Sequence, residues 1–72
     1  MKIVQVVWGS EDGNLGVYTS FKKAFLRAKL YLEQNGETLN ISLKEAKENR
    51  YHLMADGDKS YCSITEFILN LE

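Results

Sequence analysis

Proline is missing from the 72 residues, cysteine and histidine occur once each, and glycine only five times. Without proline, a Gly/Ser-rich stretch, a repeat or a low-complexity tract, there is no linker signal, and residues 1–72 read as a single small domain. One cysteine, Cys62, excludes an internal disulfide, and Cys62 with His52 falls short of the four ligands that a structural zinc site requires. No metal or cofactor is expected. Long apolar runs are also missing: Ile3-Val4 and Val6-Val7-Trp8 together fall far below the ~20 residues that span a bilayer. Gln5 interrupts that stretch and Gly9-Ser10-Glu11-Asp12 ends it, which does not fit a signal peptide, so the expected setting is cytoplasmic and off the membrane. In that setting the sequon Asn40-Ile41-Ser42 reads as chance.

A strong charge of one sign is lacking as well, since the formal net charge is -1. What is present, 44% hydrophobic and 11% aromatic residues, excludes a disordered tail, which would not bury enough apolar surface to offset chain entropy. A domain this short buries only about 60% of its extended-chain surface and is marginal without staples, so self-association enters as an expectation.

The elements follow from pattern. Residues Ile3 to Trp8 are Val/Ile-rich, end at Gly9 and carry apolar residues on both faces, which predicts an interior strand. Gly9 to Asn14 is turn-rich and Leu15-Gly16-Val17-Tyr18 is extended, which predicts a hairpin with a loop longer than two residues, its glycines supplying positive φ. Ser20 is a good N-cap and Asn35-Gly36 a good helix end. Between them Phe21, Ala24, Phe25, Ala28, Tyr31 and Leu32 fall on one face of a helix over residues 21–34. Leu39, Ile41 and Leu43 alternate as a strand would, whereas Ser42-Leu43-Lys44-Glu45 is a capping box. The preferred reading is a short helix from Leu43 to Asn49 with only Leu43 and Ala46 to bury, and therefore the least stable element. Tyr51 to Met54 and Tyr61 to Leu69 read as strands around an Asp56-Gly57-Asp58-Lys59 turn. The last strand, apolar on both faces, is placed beside Ile3–Trp8. The expected fold class is α+β: a small antiparallel sheet of about four strands, one main helix on one face and a short second helix, in ββααββ order.

The strand Ile3-Val4-Gln5-Val6-Val7, the helix entry Gly16-Val17-Tyr18-Thr19-Ser20-Phe21-Lys22-Lys23-Ala24 and the ending Tyr61-Cys62-Ser63-Ile64-Thr65-Glu66-Phe67-Ile68-Leu69 resemble a group of very small phage and prophage-type proteins of unknown function. The likeness is weakest from Glu37 to Arg50. It implies a single α+β domain and a phage or prophage origin, and brings no functional residues with it.

Several motifs bear on chemistry. Asp56-Gly57-Asp58 begins like a calcium loop, but Tyr61 stands where glycine is needed and Phe67 where the bidentate glutamate is needed. Gly9, Gly13 and Gly16 lack the Gly-Lys-Ser/Thr of a phosphate loop. His52 and Cys62 lie on the two arms of the C-terminal hairpin, yet one such pair without an orienting group or oxyanion site does not make a nucleophilic centre, so no enzyme is expected. Cys62 reads as a small buried residue and His52 as a residue near the surface.

Two surface signals remain. Lys22, Lys23, Arg27 and Lys29 give residues 21–36 four positive charges against one negative, while residues 51–72 carry one positive against four negative. Such a dipolar surface fits a polyanion contact, but nucleic-acid binders are typically basic with a pI above about 9, and this pI is near 5.8. The second signal is surplus apolar residues: Trp8, Tyr18, Tyr51, Tyr61 and the pair Leu26 and Leu30 beside the core stripe of the main helix. These either widen the core or form a contact patch. The expected function is a non-enzymatic protein-interaction module with Leu26, Leu30, Trp8 and Tyr18 at the interface, its partner another protein or a second copy. The alternative is a nucleic-acid-binding module using the basic helix face.

Overall fold

The computed structural model describes residues 2–54 and 60–69. Strands β1 (Lys2–Gly9) and β2 (Gly13–Tyr18) are followed by helices α1 (Phe21–Gln34) and α2 (Leu43–Glu48), then strands β3 (Leu53–Met54) and β4 (Tyr61–Leu69). The strands form one antiparallel sheet in the order β2-β1-β4-β3. This is the α+β, ββααββ architecture that the sequence predicts. Strands β1 and β4 take the middle of the sheet; β1 is paired along both edges, whereas β4 is paired along its whole length with β1 and only at Tyr61 and Cys62 with β3.

Helix α1 begins at Ser20, whose hydroxyl accepts the Lys23 N–H at 3.2 Å. It ends in a Schellman motif: the Glu37 N–H reaches the Leu32 carbonyl, the Gly36 N–H reaches the Glu33 carbonyl, and Gly36 takes φ +78°. Between these caps Phe21, Ala24, Phe25, Ala28, Tyr31 and Leu32 are all buried against the sheet. From the sheet they meet Val7 of β1, Cys62 and Ile64 of β4 and Leu53 of β3. Fully burying a side chain such as Leu32 or Ile64 is worth about 1.5–3 kcal/mol, so this stripe is a principal contributor to the core.

Ser42 caps the N-terminus of α2 as expected. The Ser42 hydroxyl accepts the Glu45 N–H at 3.2 Å, and α2 adds Ala46 to the core, with Leu43 partly buried beside it. Leu39 is buried and Ile41 packs on the core, but from an irregular segment rather than a strand.

Three local expectations are corrected. Strand β3 holds only Leu53 and Met54, not Tyr51 to Met54, because the Ile64 N–H goes to the Arg50 carbonyl at 2.6 Å and the chain at Tyr51 is already turning. Gly13 and Gly16 do supply positive φ, but Gly9 does not. Its missing Cβ instead leaves space for the ring of Tyr31. Arg27 and Lys29 do not stand free in solvent: both are half-buried, and one guanidinium nitrogen of Arg27 is enclosed. The Asp56-Gly57-Asp58-Lys59 turn lies outside the described residues.

Candidate protein-interaction surface

Strand pairing fixes which residues share a face. Val7 faces Ile64 across the central pair, and both join the core under α1, so the alternate residues of each strand point to the other side. That other side carries Val4, Val6 and Trp8 from β1, Val17 from β2, Tyr61, Ser63, Thr65, Phe67 and Leu69 from β4, and Met54 from β3. Among the described residues no second layer covers it. The molecule is 15 Å along its shortest principal axis, the thickness of one sheet and one helix layer.

Val4 and Val6 are nonetheless buried, flanked by Phe67, Thr65 and Val17 on neighbouring strands. The larger residues around them stay open: Trp8 is 42% exposed, Phe67 46% and Val17 57%, with Tyr61 and Leu69 similar. Given the 150–250 Å² of an aromatic side chain, these five present on the order of 400 Å² of apolar surface, within the range at which a patch on a monomer is often functional. Tyr61 is braced by His52, whose ring centroid lies 4.8 Å away. Apart from Lys2 at one end, no formally charged side chain lies in this strip.

The four interface residues expected from sequence are not brought together. Trp8 stands on the open sheet face. Tyr18 pairs with Gln5 on the opposite face, where it is partly buried against the core. Leu26 and Leu30 are exposed on α1. At about 100° per residue they lie opposite the core stripe rather than beside it, which removes core widening as their role. Phe67 and Leu69 were not singled out by sequence, because an apolar strand in the sheet interior reads as covered on both sides; Val17, on the edge strand β2, carries no such pattern. The signal that could have found them is the helix count: one long helix covers one face only.

The same helical spacing divides the basic residues. Lys22 and Lys29 lie on one flank of the Leu26–Leu30 ridge and Lys23 and Arg27 on the other, with Arg27 and Lys29 half-buried. No continuous basic face results, which weakens the polyanion reading.

Polar chemistry is concentrated on the covered side. Gln5 is buried and its amide donates to Glu66 at 2.9 Å, while the Arg50 guanidinium stands 3.8 Å from the same carboxylate and over the Phe21 ring. Glu37, also buried, accepts the Ser60 N–H at 3.3 Å. Cys62 is wholly buried on the helix side, its thiol 3.7 Å from the Ala28 carbonyl, and burial pushes its pKa up to about 12 against a smaller opposing effect of Arg27. His52 stacks on Tyr61 on the open side, so the sheet separates the two residues of the considered Cys-His pair. An open depression lined by Glu48, Asn49, Tyr51 and His52 brings no nucleophile to that histidine. Among the described residues no group of three or more His, Cys, Asp or Glu is placed to hold a metal, and no helix is long and apolar enough to cross a membrane. Compared with protein-family models, with curated proteins and with solved structures, the chain matches none.

Proposed function

We propose that this protein is a non-enzymatic protein-interaction module that binds its partner through the open face of its sheet. One observation carries the reading: the uncharged strip of Trp8, Val17, Tyr61, Phe67 and Leu69 on a face that no other described element covers. Aromatic residues concentrate at the centres of interfaces, and apolar area of this size is removed from water when a flat partner docks. The resemblance of its strand and cap segments to small phage proteins fits an accessory role in the cytoplasm of a bacterial host.

The test is capture from a host lysate with two baits, the natural chain and a Trp8→Ser/Phe67→Ser variant. A partner held by the natural chain and lost by the variant supports the reading. A partner held equally by both would contradict it. The nucleic-acid alternative is decided separately by electrophoretic titration at low and moderate salt, since phosphate contacts impose a steep salt dependence.

A further inference from the structure

Strand β4 is longer than anything that pairs with its outer edge. Tyr61 exchanges backbone and side-chain hydrogen bonds with Ser10, on the β1 side, whereas the Ile64 N–H points the other way, to Arg50. Backbone groups therefore alternate along β4, and those of Glu66 and Ile68 face outward with Ile64. Strand β3 pairs only with Tyr61 and Cys62. Beyond Arg50, among the described residues, nothing meets the N–H and C=O groups of Glu66 and Ile68. Residues 66–69 are exposed in succession. Ile68 faces Ile3 on the helix side, past the reach of α1, and both are about half exposed, so this end of the sheet is apolar on both faces as well as open at its edge.

We infer that the free edge of β4 pairs antiparallel with β4 of a second copy, joining two four-stranded sheets into one. The inference rests on the protein-interaction reading, since Phe67 and Leu69 belong to both surfaces, but it names a different contact. Arg50 on Ile64 limits the free segment to Thr65–Leu69, whose centre is Phe67. A two-fold axis at Phe67 sets Glu66 opposite Ile68 of the other copy, and these outward groups exchange four hydrogen bonds. No like charges then stand opposite one another, and Glu66 keeps its own partners Gln5 and Arg50. Phe67 meets its symmetry mate as a non-hydrogen-bonded pair, with Cα atoms about 4.5 Å apart. An exposed apolar edge is a template for this kind of pairing, and the seam covers Phe67, Ile68 and Leu69, each about half exposed in the single chain.

The experiment is sedimentation equilibrium of the full chain from low micromolar to millimolar concentration, alongside Ile68→Pro, Phe67→Cys and Val17→Cys. Proline at 68 removes an outward N–H and leaves the β1 ladder intact. The expected result is a concentration-dependent dimer that Ile68→Pro weakens at least tenfold. Phe67→Cys should oxidise to a linked dimer, because its Cα separation suits a disulfide, while Val17→Cys on the far edge should not. The native Cys62 is buried and takes no part. If Ile68→Pro fails to fold, the cysteine pair decides. A dimer that links through Val17→Cys but not Phe67→Cys overturns the edge pairing and leaves association through the open face. A monomer at every concentration also overturns it, and the protein-interaction reading then stands or falls on the two-bait capture.

Discussion

Gly9 lies directly beneath the ring of Tyr31, so close that a Cβ built at Gly9 would stand 2.8 Å from the Tyr31 Cζ and 3.1 Å from a Leu15 methyl. The Tyr31 hydroxyl in turn accepts the Glu11 N–H at 3.2 Å, so one side chain of α1 seals the end of β1 and holds the following turn. Gly9→Ala forces the Tyr31 ring away from both. Overpacking of this kind costs typically about 1–3 kcal/mol, which thermal unfolding should register as a drop of several degrees. A melting temperature equal to that of the natural chain would show that the ring has room to move.

Glu37 and Ser60 make the second anchor. Both are buried, and the carboxylate receives a backbone N–H from a residue 23 positions away. Glu37→Ala leaves the Ser60 N–H without that acceptor and should destabilise by about 1–3 kcal/mol, whereas Glu37→Gln keeps an oxygen acceptor and should cost less. Denaturant midpoints at unchanged slope measure both.

Cys62 links pH to stability. Its pKa is raised to about 12 in the folded chain, so the folded state holds the proton more tightly than the unfolded chain, whose thiol titrates near 8.5. The stabilisation is fully present below about pH 8.5 and is lost as pH rises toward 12, by at most about 1.4 kcal/mol per pH unit. Cys62→Ala should lose less stability between pH 8 and 11 than the natural chain, although it begins lower because a buried side chain has been shortened. Thiol-reactive reagents should modify Cys62 only at the rate of unfolding.

Much of the fold was legible in the sequence. All six residues assigned to the core face of α1 are buried there, and the Ser20 and Ser42 caps and the Gly36 stop are where the pattern put them. These features are local, set by period and by backbone groups that need partners within one turn. What stayed hidden depends on contacts distant in sequence. Gln5 with Glu66 and Glu37 with Ser60 are polar pairs whose members carry no pattern of their own. The bare face of the sheet escaped for a related reason: Phe67 and Leu69 look like core residues until the single covering helix is seen to take the other side. Leu26 and Leu30 were recognised as surplus, but their direction follows from the helical phase of the whole core stripe, which places them outward.

Surface substitutions should separate interaction from stability. Trp8→Ser and Phe67→Ser remove apolar groups that are already about half in water, so each should change stability by well under the 3–5 kcal/mol typical of emptying a core aromatic site. Circular dichroism and thermal unfolding check this. A collapse of the fold on either substitution would mean that the open face is core.

Trp8 is the only tryptophan, and it stands about half exposed on the open face. Its emission in the free chain should be that of a partly hydrated indole, accessible to acrylamide. Addition of the captured partner should shift the emission to the blue and shield it from the quencher, whereas pairing through the β4 edge alone should leave it unchanged. A partner that binds with full affinity while Trp8 stays as hydrated and as quenchable as before would contradict the assignment of the open sheet face as the interaction surface.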